Sequence, residues 1–308
     1  MRVAWRRLGC VPRTMATLRI RLLRGFAVWV GDCEVPDSSW TLRKARSIVK
    51  LLALARGHAV HRELVCEALW PGRASAAAQN NLHQVLYVAR RALEAAGADG
   101  REALGLRDEL VALCPEGSVW VDVERFEAAA EAARAAGELA AYREAVELYA
   151  GELLPEDRYE SWVEPRRASL AELRLALLVE LAELESRAGD HAGAVVSLRR
   201  AVSADPLHEP ANRALMRALA DGGRRQEALA EYERLRSALR DALAADPDPQ
   251  TRRLYRDLLT GSLAAEPSEP EAPVAPTPGH NLPHEVTSFV GASESSAKSS
   301  GCSPARGC

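Results

Sequence analysis

The stretch from Ala74 to Ala95, ASAAAQNNLHQVLYVARRALEA, constrains the rest of the chain, because its apolar and polar residues separate at helical spacing. Leu82, Leu86, Ala89 and Leu93 recur at steps of four, three and four, so at about 100° per residue they form one stripe. Asn80, Gln84, Tyr87 and Arg91 fall on the opposite face, flanked by Asn81, His83 and Arg90, with no carboxylate before Glu94. Paired amides match adenine edges, and a guanidinium matches guanine or phosphate, which is the chemistry of a helix lying in the major groove. An ordinary amphipathic helix with a solvated outer face fits the same pattern. The neighbouring sequence has to choose between them.

Upstream, LRIRLLRGFAVWV (18–30) alternates at period two, breaks at Arg24-Gly25 and resumes, which predicts a hairpin. CEVPDSSW follows as a candidate third strand. LRKARSIVKLLALA (42–55) has helical spacing and a positive side made of Arg43, Lys44, Arg46 and Lys50. HRELVCEALW (61–70) makes a second helix, stopped by Pro71-Gly72. Beyond the third helix, ALGL and LVALC flank Arg107-Asp108-Glu109 as a second hairpin. Hairpin, three helices and hairpin is the order of a winged helix-turn-helix, whose third helix enters the major groove and whose last hairpin is the wing.

Charge divides along the same line. Residues 1–116 carry 18 Lys and Arg against 11 Asp and Glu, whereas residues 117–260 carry 20 against 27. A basic unit followed by an acidic one points to a polyanion partner for the first alone. From Val119 the chain reads as helical: a pair at 123–136 and 138–149 split by Gly137, an aromatic-rich loop at 153–167, and a long helix over 168–187. Superposing Gly189 on Gly223 places Ala194 on Ala228, Leu198 on Tyr232 and Ala201 on Leu235, an offset of 34 residues. That is the tetratricopeptide period, in which each helical pair buries its apolar face against the next. The expected fold is therefore mainly α: a winged helix-turn-helix with small β hairpins over 17–116, then a tetratricopeptide-like repeat region over 117–260. Residues 1–16 read as a loose or over-called start. Residues 261–308 read as a Pro-rich linker and disordered tail.

The concatenation LRKARSIVKLLALA, HRELVCEALWP, AAAQNNLHQVLYVARRALE, WVDVERFEAAAEAA, YAGELLPEDRYESWVEPRR and GDHAGAVVSLRRAVSADP resembles the Streptomyces antibiotic regulatory protein type of bacterial transcriptional regulator. That family joins an OmpR-like winged helix to a bacterial transcriptional activator domain. The resemblance implies sequence-specific binding to double-stranded DNA, usually as a homodimer on direct repeats, and recruitment of RNA polymerase. By position it implies base reading by Asn80, Asn81, His83, Gln84, Tyr87 and Arg91, backbone contacts from Arg43, Lys44, Arg46 and Arg90, and a wing contact from Arg107. NLPHEVTSFVG (281–291) looks like the opening of the ATPase module of larger members, but the likeness stops after Gly291 and no phosphate-loop motif occurs anywhere. A truncated form of such a regulator is the expectation drawn from that stretch.

Other functions have less support. The chain has no HExxH, GxSxG or dinucleotide-binding glycine run, so an enzyme is not expected. His58 and His61 read as a turn residue and a cap neighbour. Six scattered cysteines form no CxxC pair and imply neither metal nor disulfide framework, so no cofactor is expected and a reducing cytoplasm is the default. No apolar run approaches a membrane span. An interaction scaffold whose winged helix has lost DNA binding remains the rival reading, with Tyr149, Tyr159 and Trp162 as candidate partner contacts, although aromatic side chains of this size usually pack inside.

Overall fold

In the computed structural model, which describes residues 17–261, the alternation of the first strand settles its place. Leu18 and Ile20 of β1 (Thr17–Arg21) are fully buried, and Thr17, Arg19 and Arg21 face outward. The strand pairs antiparallel with β2 (Ala27–Val30), and β2 with the two-residue β3 (Cys33–Glu34). The connecting turn places Arg24 and Gly25 at φ 66° and 120°, the second of which glycine alone adopts readily.

Helices α1 (Arg43–Leu54), α2 (Arg62–Leu69) and α3 (Ser75–Glu94) follow. His58 does lie in a turn, at φ 54°. His61 is itself the cap of α2, its Nδ1 accepting from the Glu63 amide at 3.3 Å. The short α4 (Gly100–Ala103) leads into the wing hairpin of β5 (Leu104–Arg107) and β6 (Leu110–Leu113), which β4 (Ala59–His61) extends to three strands.

The sequence reads as helical from Val119, but Ser118–Val121 is a strand, β7, pairing parallel with β1 and completing a sheet ordered β3-β2-β1-β7. Four residues show no periodicity of their own; what makes them a strand is an open edge about a hundred residues earlier in the chain. Asp122 reinforces the join, its carboxylate accepting from the Leu22 and Leu23 amides at 2.9 Å each. Burial raises its pKa, against the three backbone amides and Arg21, which pull it down.

Seven helices complete the described chain: α5 (Asp122–Ala136), α6 (Leu139–Leu148), α7 (Glu164–Arg187), α8 (His191–Ala204), α9 (Glu209–Asp221), α10 (Arg225–Leu243) and α11 (Pro249–Thr260). Consecutive members pack on one another, as stacked helical pairs must to bury their apolar faces. The 34-residue register holds in detail. Helices α8 and α10 begin at His191 and Arg225, each after a left-handed glycine, and the superposed residues Ala194, Ala228, Leu198, Tyr232, Ala201 and Leu235 are all buried. Helix α7 starts at Glu164, earlier than the spacing indicated, since Pro165 in its first turn has no amide to lose there.

Residues on both sides of position 117 share one core. It contains Leu18 and Ile20 of the sheet, Leu52 of α1, Leu86 of α3, Phe126 of α5 and Leu177 of α7; a second cluster joins Ala182 of α7 to α8 through α11. Tyr149 packs inside, edge-on to Phe126, and Trp162 is half-buried with its Nε1 donating to Glu160. Tyr159, by contrast, is 96% exposed at the tip of its loop, against the expectation of packing. Among the described residues no helix is long and apolar enough to cross a membrane. The segments 1–16 and 262–308, and with them the readings of a loose start, a disordered tail and an ATPase remnant, lie outside the described residues.

Candidate nucleic-acid interface

Helix α3 is held by the stripe that its sequence predicts. Leu82, Val85, Leu86, Ala89, Ala92 and Leu93 are at most 4% exposed and belong to the same core as α1. Fixing that side fixes the other. Asn80, His83, Gln84, Tyr87 and Arg91 are exposed and Asn81 is half-buried. At 1.5 Å per residue, Asn80 to Arg91 spans roughly 16 Å of helix, enough to address several base pairs along a major groove roughly 12 Å wide. The face carries donors and acceptors and no carboxylate until Glu94, which takes the Arg91 guanidinium at 3.1 Å.

The cations expected to meet phosphate are differently placed. On α1, Arg43 pairs with Glu160 at 3.1 Å and Lys44 with the same carboxylate at 3.5 Å. Arg46 pairs with Asp37 at 3.2 Å. One turn on, the buried Lys50 ammonium donates to Glu156 at 2.8 Å and Asp157 at 2.5 Å, and it also lies over the Phe26 ring. Three of the four cations on the positive side of α1, Arg43, Lys44 and Lys50, therefore answer an acidic loop before α7. Spacing within α1 gives no sign of a partner more than a hundred residues away.

Arg90 is half-buried, and its Nε donates to the Leu104 carbonyl at 2.8 Å, which fastens α3 to the wing. Burial, then the nearby Arg101, lower its pKa against the pull of Glu94. Arg107 stands at the wing turn, exposed and paired with the equally exposed Glu116 at 2.8 Å. The turn itself needs Asp108 and Glu109 at φ 49° and 71°, and Glu109 is tied back to Arg62 of α2. Sequence reasoning passed over Arg73, which is exposed immediately before α3. Its signal was a lone cation between the Pro71-Gly72 turn and the helix start, where aligned peptide dipoles also favour an anion. Among the described residues no group of His, Cys, Asp and Glu is placed to hold a metal ion.

The model of the bacterial transcriptional activator domain matches residues 121–259. The regulatory protein DnrI of Streptomyces peucetius is 29% identical over 246 residues, covering 76% of this chain and 90% of that protein. The regulatory protein AfsR of Streptomyces coelicolor is 30% identical over 260 residues, covering 80% of this chain but 25% of AfsR, so the chain spans about a quarter of that larger relative. Among solved structures, Mycobacterium tuberculosis EmbR, in complex with a low-affinity phosphopeptide, superposes with a TM-score of 0.66 at 26% identity over 80% of this chain and 66% of EmbR.

Proposed function

Because the chain belongs to the Streptomyces antibiotic regulatory protein type of transcriptional regulator, we propose that it binds a promoter operator with α3 in the major groove and activates transcription by recruiting RNA polymerase. The observation that carries the reading is the outer face of α3, a row of exposed amides, imidazole, phenol and guanidinium without a carboxylate before Glu94. Asn80, Asn81, His83, Gln84, Tyr87 and Arg91 read base edges, each good bidentate pair contributing about 1–3 kcal/mol of discrimination. Arg73, the α3 N-terminus and Arg107 supply the phosphate contacts that set register and make binding salt-dependent. The helical-repeat region dimerises the protein on direct repeats in the cytoplasm and converts occupancy into polymerase contact. No catalytic step is part of this role.

Fluorescence anisotropy tests it. The full chain is titrated against its own upstream DNA and against a scrambled duplex of equal length, at low and at physiological salt. Binding at least tenfold tighter to the upstream DNA, with both affinities falling as salt rises, is the expected result. Equal affinity for the two duplexes at both salt concentrations would remove sequence reading from the account.

A further inference from the structure

The outer face of the four-stranded sheet carries a row of side chains that DNA reading does not use. The strand registers set Glu34 beside Trp29, Trp29 beside Arg19 and Arg19 beside Trp120, one residue from each of β3, β2, β1 and β7. Neighbouring strands lie about 4.8 Å apart, which puts the two indoles roughly 10 Å from each other with Arg19 between them. The Arg19 guanidinium sits over the Trp29 ring at 4.6 Å, and Arg21 approaches the same ring at 5.6 Å. Trp120 is 43% exposed, unusual for an indole in a sheet, and Arg19 and Arg21 are exposed as well.

Arginines flanked by indoles make the row distinctive. Exposed arginines elsewhere in the molecule commonly have a carboxylate at hand: Arg125 has Glu144, Arg134 has Glu180 and Arg199 has Glu227. Among the described residues, neither Arg19 nor Arg21 has a carboxylate within ion-pair distance. Arg21 feels the field of Asp122, whose oxygens are already taken by backbone amides. A guanidinium stacked on an indole keeps its N–H edges available for bidentate contact with a carboxylate.

We propose that this face is a docking surface for an acidic peptide segment of a partner protein, in which carboxylates engage Arg19 and Arg21 while an apolar side chain lies against Trp29 and Trp120. Tryptophan and arginine are the residues that dominate the energetics of such surfaces. The alternative polyanion, the DNA backbone, is disfavoured by the fold. The inner face of the sheet, Leu18, Ile20, Val28 and Val121, shares a core with Leu82 and Leu86 of α3, so the outer face turns away from the reading helix. That orientation excludes DNA only if α3 is the reading helix, as proposed above.

The test is selection of a random peptide display library on the full chain, followed by affinity measurements with Arg19→Glu and Trp120→Ala. The enriched peptides are expected to combine Asp or Glu with an aromatic residue or leucine. They should lose about tenfold or more in affinity for either variant, while both variants keep the wild-type affinity for DNA. Enrichment without acidic residues, or binding indifferent to both substitutions, overturns the proposal. So does a loss of DNA affinity in Arg19→Glu, which would assign the face to phosphate. Should Arg19→Glu fail to fold, judged by its urea midpoint, Arg19→Gln replaces it. If the wild-type chain fails to read DNA yet binds acidic peptides through these two residues, the reading of α3 fails and the docking surface stands.

Discussion

Helix α1 presents Arg43, Lys44, Arg46 and Lys50, and α3 presents Arg90 and Arg91, but the groups that answer these charges differ. On α1 each cation has a carboxylate of the same molecule, and Lys50 with Asp157 is buried outright. On α3 Arg90 is fastened to a wing carbonyl and Arg91 pairs at the surface with Glu94, one turn on, while the rest of the outer face consists of neutral polar groups. The cations of α1 are answered from within the molecule, while most of the outer face of α3 stays open to solvent. Net charge marks the half of the chain that attracts a polyanion, and the partner of each cation decides which residues touch it.

Four substitutions grade that contrast. The largest effect is expected for Asp157→Ala, which leaves the Lys50 ammonium buried with a single, partly exposed partner. Removing one member of a buried pair costs about 3–5 kcal/mol, and urea denaturation should show the loss across the shared core. Next, acid should loosen the same junction. Burial alone would raise the Glu156 pKa, but hydrogen bonds from Lys50 and the Phe26 amide hold it below the ordinary glutamate value. A carboxylate lowered on folding contributes stability above its unfolded pKa and loses it as pH falls through the folded value. Asp122, raised by burial, works in the opposite sense. The Glu156→Gln variant should therefore lose less stability than wild type between neutral pH and about pH 3; an unchanged acid dependence would detach Glu156 from the junction. Gln84→Ala, third in size, should leave folding intact and cost about 1–3 kcal/mol of operator binding, read as anisotropy on the specific duplex. Smallest is Arg125→Ala, which breaks an exposed pair with Glu144 and should shift the urea midpoint by no more than about 0.5 kcal/mol equivalent.

What the sequence made legible were the elements whose signal lies inside a short window. The stripe of α3, the alternation of β1, the wing hairpin and the 34-residue register of α8 on α10 depend on local periodicity, and each is present. Strand β7 and the acidic loop were not legible, because each acquires its role from a partner far off in the chain: β1 for Ser118–Val121, α1 for Glu156, Asp157 and Glu160. The same cause hides the intramolecular partner of Arg43 and Lys44, Glu160, from a reading of α1 alone. The outer face of α3 was legible as a face, since burial of Leu82 and Leu86 dictates what points outward. Which of its side chains meets a base depends on the DNA, and that is not written in this chain.

If α3 reads DNA and α1 braces the fold, one anisotropy series separates the two roles. The ratio of affinities for upstream and scrambled DNA is measured for wild type, Gln84→Ala and Lys44→Ala under one salt condition. Gln84→Ala is expected to lower the ratio by about fivefold or more, mainly through the upstream duplex, and Lys44→Ala to leave both affinities within about twofold of wild type. A ratio untouched by Gln84→Ala, together with a marked loss of affinity for both duplexes in Lys44→Ala, would place the DNA against α1 and contradict the account.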